Sequence, residues 1–559
     1  MTQTTMGHYL WQRLKQMGIR YVFGVPGDFN LQLLEQLSEV DGIEFVGTCN
    51  ELNAAYAADG YARSNGIAAL ITTYGVGDLS ALCGVAGSFA EHIPVVMISG
   101  VPPMYAIRNR LQLHHTMAEG NFDNVRTALK QFTLTDACLT PANASQEIDR
   151  ALNYCWQERC PVYLQVPSNL SYLEIKTNDV PITRAPAGFD SRQQQSAMGA
   201  IQAKFAKAKR PVMLIDMDAE RAQISDQLQQ LADRYNIPYA SFLTGKAILD
   251  ETSPLWLGYY PASAESSLSQ WLNQADLILA TAPCYQEGSP IAVGLPTEQT
   301  IYLQGFEVTI AGDVYEGVNA QVLLDSMLEQ GLTCTHRSDH PKPPSRRGAT
   351  YQAQQPLRHE QLWPQIGQYF RGTDIVIGEN GCANIALQTL PFPKGCHYIA
   401  QPIWGSIGFT LPALLGSMLA QPSKRHWLFI GDGSFQMTAQ ELSTLLQRGL
   451  KPVIVLLNNA GYTIERYIFG KQARYNDIAQ WNYQALLDAL APNIRVNYQK
   501  VNTHEELAQT LDALTNEQAT FIEIQLDPLD APARLQQFGA SFAEFDYGPR
   551  GPQHPKKTT

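Results

Sequence analysis

Short runs dominated by Val, Ile and Leu recur along the chain: "AALITTY" at 68–74, "PVVMISG" at 94–100, "PVMLID" at 211–216, "ADLILAT" at 275–281, "HWLFIGDG" at 426–433 and "PVIVLLNN" at 452–459. Between them lie stretches in which apolar residues recur at helical spacing. Continuous apolar strands alternating with amphipathic helices predict parallel sheets covered by helices on both faces, an α/β architecture of doubly wound sheets.

Two weakly patterned, proline-containing stretches, 178–190 and 336–356, interrupt the alternation and read as linkers. They predict three domains: an N-terminal one over 1–180, a middle one over 190–338 and a C-terminal one over 357–545. The outer two resemble each other. "ALITTYGVGDLSALCGVAGSFAEHIPVVMISG" and "HWLFIGDGSFQMTAQELSTLLQRGLKPVIVLLNN" both read strand, glycine turn, helix, proline, strand, as duplicated domains would. Ligands of open parallel sheets bind beyond the carboxyl ends of strands, so both glycine turns are candidate sites. The first middle-domain strand ends in "IDMDAE", without a glycine-rich phosphate loop, and predicts no dinucleotide there.

Composition narrows the classes. The chain has 559 residues, with Lys+Arg 40 against Asp+Glu 52 and a formal net charge of −12. That balance, without a basic block, argues against a nucleic-acid partner. No apolar run reaches the roughly 20 residues of a spanning helix, and the amino terminus lacks a basic segment leading into an apolar one, so no membrane association and a cytoplasmic location are expected. The nine cysteines show no metal-type spacing and are expected to be reduced thiols.

The chemistry concentrates at 430–459. One strand ends on an acid between two glycines, Asp432 in "GDG", and the next ends on two asparagines. The glycines and the following helix N-terminus favour a bulky anion such as a phosphate, whereas the carboxylate repels it. A divalent cation between them removes the conflict: Asp432 and the amide oxygen of Asn459 are hard ligands suited to Mg²⁺.

"GDG", 24 residues and "NN" resemble the signature of thiamine-diphosphate enzymes. Further motifs extend the resemblance over more than four hundred residues, in family order: "FGVPGDFN" with Asp28, "CNELNAAYAADGYAR" with Glu51, "LHHT" with His114 and His115, "WGSIGF" with Gly405 and Ile407, and "NNAGYTIER" with Ile464 and Glu465. The chain is similar to the 2-oxo-acid decarboxylase branch, which acts on pyruvate, indolepyruvate or phenylpyruvate. The resemblance implies thiamine diphosphate and Mg²⁺ as cofactors, with the metal on Asp432, Asn459 and the carbonyl of Gly461. It places Gly433 and Ser434 against the diphosphate, Gly405 and Ile464 at the coenzyme, and Ile407 as the wedge that bends it. Glu51 would exchange a proton with the aminopyrimidine, provided it is buried. Asp28, His114, His115 and Glu465 would form a crowded, poorly solvated acid/base set with coupled titration. The implied assembly is a homodimer at minimum and a homotetramer in full, with Glu51 and Asp432 meeting from different chains.

The pattern also departs from the family. Asp78 and Cys83 stand in "GVGDLSALCG" where relatives carry a glutamate and an amide, a change expected to rearrange nearby coenzyme contacts. In "ENGCANIAL", Cys382 and Ala383 replace hydroxyl residues, while Asn380, Asn384 and Ile385 alter the substrate side. Bacterial pyruvate decarboxylases carry tryptophan and phenylalanine where this chain has Asn384 and Ile385. A longer pocket bounded by Ile464 and Ile468 is therefore expected, favouring aromatic or branched 2-oxo acids, with pyruvate as the alternative substrate. An acetolactate-synthase-like carboligase is disfavoured by "LHHT" and by the middle domain's missing glycine-rich loop. A silent homologue is disfavoured by the intact acid/base set, and an NAD dehydrogenase by the lack of GxGxxG.

Overall fold

A computed structural model describes residues 3–186, 188–260, 266–281, 295–334, 340–341 and 350–548, so most of the linker at 336–356 lies outside the described residues. The chain forms three main sheets. In the N-terminal one, Glu44–Gly47, Tyr21–Gly24, Ala68–Thr73, Val95–Val101, Val162–Pro167 and Asp136–Cys138 lie side by side, all parallel. In the C-terminal one the order is His397–Ile399, Ile375–Gly378, His426–Gly431, Val453–Asn458, Thr520–Gln525 and Asn497–Val501, again all parallel. Numbered along the chain within each sheet, both read 2-1-3-4-6-5. The outer repeat seen in sequence is thus a repeat of topology. Strands such as Ala68–Thr73 and Val453–Asn458 are buried along their whole length, as helices on both faces require.

The middle sheet is parallel over Trp256–Tyr260, Tyr239–Phe242, Pro211–Ile215, Leu277–Thr281 and Thr300–Leu303. It then continues through two antiparallel strands, Glu307–Ile310 and Asp313–Glu316. This hairpin departs from the uniformly parallel sheet expected, and its polar outer strand closes the edge against further pairing. Among its described residues the segment at 178–190 carries no regular element, yet it is tied down. Arg184 donates to the carbonyls of Met17 and Asn65, both at 2.8 Å, and Ile182 is buried.

The outer domains meet through helices Glu51–Asn65 and Thr410–Ala420. A Cβ on Gly60 would lie 2.2 Å from the Ala413 carbonyl oxygen, and one on Gly416 1.9 Å from that of Ala57. Two glycines facing backbone therefore let the helices touch main chain to main chain, with Ala54, Ala57, Ala58, Leu411 and Leu414 in one shared core. The crossing holds the start of the first helix, and so Glu51, beside the C-terminal domain. None of the described cysteines forms a disulfide. No helix among the described residues is long and apolar enough to cross a membrane.

Asp78 closes a turn within its own domain. It is fully buried in the first turn of helix Val76–Ala90 and points into the N-terminal domain. Its Oδ1 accepts from Thr72 Oγ1 at 2.5 Å, and its Oδ2 from Ser99 Oγ at 2.9 Å, Gly75 N at 3.2 Å and the Tyr163 hydroxyl at 3.3 Å. Burial pushes its pKa up to about 6, against the lowering effect of those donors. A folded pKa above the unfolded value of 3.8 means that its stabilising contribution is complete below 3.8 and is lost as pH rises through 6. Thermal midpoints of the coenzyme-free protein should therefore fall relative to Asp78→Asn between these pH values. Parallel profiles for the two proteins would contradict this.

Candidate active site

The predicted residues gather in two places. In the N-terminal domain, Asp28 follows strand Tyr21–Gly24, and two histidines reach it from the loop at 113–116. His114 Nε2 lies 2.8 Å from Asp28 Oδ2, and His115 Nε2 lies 3.8 Å from Asp28 Oδ1. The carboxylate can only accept, so the Nε2 of His114 carries the hydrogen. Phe29 stacks on His114 at 5.1 Å, and the His115 ring is 4.5 Å from that of His114. The loop is pinned by the glycine turn after strand Ala68–Thr73. The His115 carbonyl oxygen lies 2.0 Å from where a Cβ on Gly75 would sit, and Gly75 has φ +75°.

Solvation there differs from the sequence expectation. The side chains of Asp28, His114 and His115 are 47%, 59% and 31% exposed in the single chain. They project from loops at the carboxyl end of the sheet and are not enclosed by their own domain. Glu51 is half-buried, less than expected, because it begins its helix and only one side is covered. Its Oε1 lies 3.2 Å from where a Cβ on Gly77 would be. Glu465 is exposed on helix Thr463–Ile468 in the other outer domain. Among the described residues no hydrogen bond or ion pair links it to Asp28, His114 or His115. Partial desolvation first, and the Asp546 carboxylate second, raise its pKa.

The second cluster stands at the carboxyl ends of adjacent strands of the C-terminal sheet. Asp432 opens helix Asp432–Thr438 directly after strand His426–Gly431 and is 1% exposed. Its Oδ1 accepts from Gly433 N at 2.8 Å, whereas its Oδ2 is buried without a hydrogen-bond partner. Burial raises its pKa to about 6, opposed by the backbone N–H groups of Gly433, Ala460, Gly461 and Asn459. After the neighbouring strand, one terminus of the Asn459 carboxamide lies 3.1 Å from Asp432 Oδ1 and 2.8 Å from the Gly461 carbonyl oxygen. Ser434 is buried one residue beyond Gly433. A buried carboxylate with an orphaned oxygen, a carboxamide and a carbonyl form a hard donor set that fits a divalent cation. Space for a bulky anion adjoins it: a Cβ on Gly431 or on Gly381 would meet no atom within 4 Å. Gly431 ends strand His426–Gly431, and Gly381 lies three residues beyond its paired neighbour Ile375–Gly378.

Between the clusters runs the loop with Gly405 and Ile407. Glu379, 1% exposed, holds it: Oε2 accepts from Gly408 N at 3.2 Å, Thr410 N at 3.3 Å and Thr410 Oγ1 at 2.6 Å. Its Oε1 accepts from Asn380 N at 2.9 Å, and burial raises its pKa to about 7. On the other side Ser406 Oγ meets the Tyr56 hydroxyl at 2.5 Å, with Cys83 Sγ 3.9 Å from both. Ile407 is thereby fixed from both domains.

Asn380, Asn384 and Ile385 begin the segment after Ile375–Gly378. Asn384 is buried; its Oδ1 accepts from the Tyr398 hydroxyl at 2.7 Å, and its Nδ2 donates to Asn380 Oδ1 at 3.0 Å. Ile385 and Ile464 pack in one core cluster, and Ile468 lies half-buried one turn beyond Ile464. Cys382 and Ala383 are buried in that cluster too, as apolar packing groups.

Sequence reasoning missed Glu441, whose Oε2 accepts from Cys49 N at 3.1 Å and Asn53 Nδ2 at 2.8 Å. It ties the start of the Glu51 helix to the opposite domain. Its only local signal is an acid among apolar residues in "AQELSTLL".

Comparison with known proteins agrees with this architecture. Residues 4–126, 199–299 and 379–524 match the N-terminal thiamine pyrophosphate binding domain, the central domain and the C-terminal thiamine pyrophosphate binding domain of thiamine pyrophosphate enzymes. Pyruvate decarboxylase isozyme 1 of Saccharomyces cerevisiae is 37% identical over 553 residues, covering 96% of this chain and 98% of the yeast protein. Pyruvate decarboxylase of Hanseniaspora uvarum is 35% identical over 550 residues, 96% of this chain and 97% of that protein. An alpha-keto-acid decarboxylase of Mycobacterium bovis is 34% identical over 547 residues, with the same coverage. The chain belongs to the thiamine-diphosphate-dependent 2-oxo-acid decarboxylase family and is a carboxy-lyase.

Proposed function

We propose that the chain converts a 2-oxo acid with a large side chain into an aldehyde and carbon dioxide, using thiamine diphosphate anchored through Mg²⁺. The observation that carries this reading is the buried Asp432 carboxylate, with its unpartnered oxygen beside Asn459 and the Gly461 carbonyl. These three groups would hold the cation, and the open space at Gly431 and Gly381 would take the diphosphate. When bound, the coenzyme supplies a carbon nucleophile and an electron sink for the departing carboxylate.

The chain's own residues would do the rest. Glu51 exchanges a proton with the pyrimidine ring, while Gly405 and Ile407, fixed by Glu379 and Tyr56, set its position. Asp28, His114 and His115 hold and deliver protons at the substrate carbon and oxygen, with Glu465 completing the set from the other domain. The domains are read as pyrimidine-binding at 1–180, a cofactor-free middle at 190–338 and diphosphate-binding at 357–545.

The smallest active unit in this reading is a homodimer. Large apolar side chains stay exposed beside both clusters: Val76 at 53% and Leu79 at 43% near the glycine turn, Met437 at 55% after Asp432, and Trp404 at 39% before Gly405. A second copy covering them would exclude water from Asp28 and the histidines and bring Glu51 to its Asp432 cluster. Mixing inactive Glu51→Gln chains with inactive Asp432→Ala chains should then restore activity, because a hybrid dimer assembles one intact site. No recovery despite proven subunit exchange would mean that each site is built within one chain.

Substrate size follows from Asn384 and Ile385. The Asn384 carboxamide is engaged by Tyr398 and Asn380, and position 384 itself contributes no ring beside Ile385. Filling apolar space is worth about 0.8 kcal/mol per methylene, so benzyl, indolylmethyl or branched side chains should gain roughly tenfold in kcat/KM over pyruvate. The names of the yeast relatives favour a second reading, pyruvate itself. The comparison is kcat/KM for pyruvate, 2-oxoisovalerate, phenylpyruvate and indole-3-pyruvate. Higher values for the large substrates, moved toward pyruvate by Asn384→Trp, are expected; a clear preference for pyruvate would reject the large-pocket reading.

A further inference from the structure

The direction of the Asn459 amide is decided two residues beyond the Gly461 carbonyl. Thr463 is buried, and its hydroxyl has a single hydrogen to give. That hydrogen goes to the Pro528 carbonyl, 2.9 Å from Oγ1. The same Oγ1 lies 2.9 Å from one terminal atom of the Asn459 carboxamide. While its hydrogen stays on Pro528, Oγ1 offers Asn459 only lone pairs and the amide atom facing it is the nitrogen; the competing arrangement gives that hydrogen to the amide oxygen.

The amide oxygen is then turned the other way, toward Asp432 Oδ1 at 3.1 Å and the Gly461 carbonyl oxygen at 2.8 Å. Three oxygens meet with no hydrogen between them, an arrangement that is repulsive by itself and attractive once a cation enters. Turned over, the amide nitrogen would donate to both oxygens, satisfying the cluster without an ion and spoiling it as a cation site. Hydrogen bonding within the metal-free cluster favours that second orientation. We infer that Thr463, through its bond to Pro528, is a positioning residue that keeps the Asn459 amide oxygen turned inward and so presets the site for a divalent cation.

The inference rests on the reading that Asp432, Asn459 and Gly461 hold Mg²⁺. The test titrates Mg²⁺ into coenzyme-free full-length protein at fixed thiamine diphosphate and follows coenzyme binding by intrinsic fluorescence, with the metal-free thermal midpoint measured in parallel. Thr463→Val and Thr463→Ala, which lack the hydroxyl, should need at least about tenfold more Mg²⁺ for half-saturation, the range seen when a ligand loses its outer partner. Their metal-free midpoints should fall by no more than the one hydrogen bond lost to Pro528, since the freed amide can turn and donate to Asp432 and Gly461. Thr463→Ser keeps the hydroxyl and should retain the wild-type Mg²⁺ requirement. Wild-type Mg²⁺ dependence in the valine and alanine variants would overturn the inference. So would a larger fall in their metal-free midpoint, because that is the mark of a packing role. A wild-type protein that binds coenzyme without any divalent ion would instead remove the underlying metal reading, and the wild-type titration alone reveals it.

Discussion

A carboxylate taken out of water needs positive charge, a full set of hydrogen bonds, or a proton. Asp432 has one oxygen satisfied and one orphaned, and among the described residues no Lys, Arg or His forms an ion pair with it. The surrounding fold makes this tolerable only in part: backbone N–H groups of Gly433 and of the turn at 459–461 favour the charge, and burial still pushes the pKa to about 6. Adjacent parallel strands then bring a carboxamide and a carbonyl to the same spot. The geometry of the C-terminal sheet is thus directed at concentrating oxygen where a cation can bridge protein and phosphate.

Within one chain, buried contacts also fix the elements that flank that spot. Glu379 fixes the loop carrying Ile407 to the strand next to Asp432, and Glu441 fixes the start of the Glu51 helix to the helix after it. Gly60 and Gly416 let the two outer domains meet main chain to main chain. The acid/base groups at Asp28, His114 and His115 remain outside this scaffold, on loops open to solvent. In the proposed reading, a rigid coenzyme anchor and exposed proton-transfer groups fit a site that a second chain completes.

Much of this was legible in the sequence because its signals are local. The outer repeat is readable from two apolar strands joined across a glycine turn, and the oxygen cluster from an acid and an amide at consecutive strand ends. What depends on distant partners was not. Glu441 acts on Cys49 and Asn53, almost four hundred residues away, and looks in sequence like any helical acid. The partners of Asp78 were not legible either: Thr72, Ser99 and Tyr163 turn it inward, and two of them lie on other strands. The exposure of Asp28 and His114 in the single chain was not legible, because motif spacing carries no information on what covers a loop. The antiparallel hairpin of the middle sheet escaped because its polar outer strand lacks the apolar run by which the parallel strands were found.

The central claim is that the oxygens around Asp432 bind the coenzyme only through a divalent ion. Calorimetric titration of thiamine diphosphate into wild type and Asp432→Ala, with and without Mg²⁺, tests it most directly. The account predicts tight binding by the wild type only when Mg²⁺ is present, and a loss of roughly 100-fold or more in the variant under the same conditions. Wild-type coenzyme affinity in Asp432→Ala would contradict it.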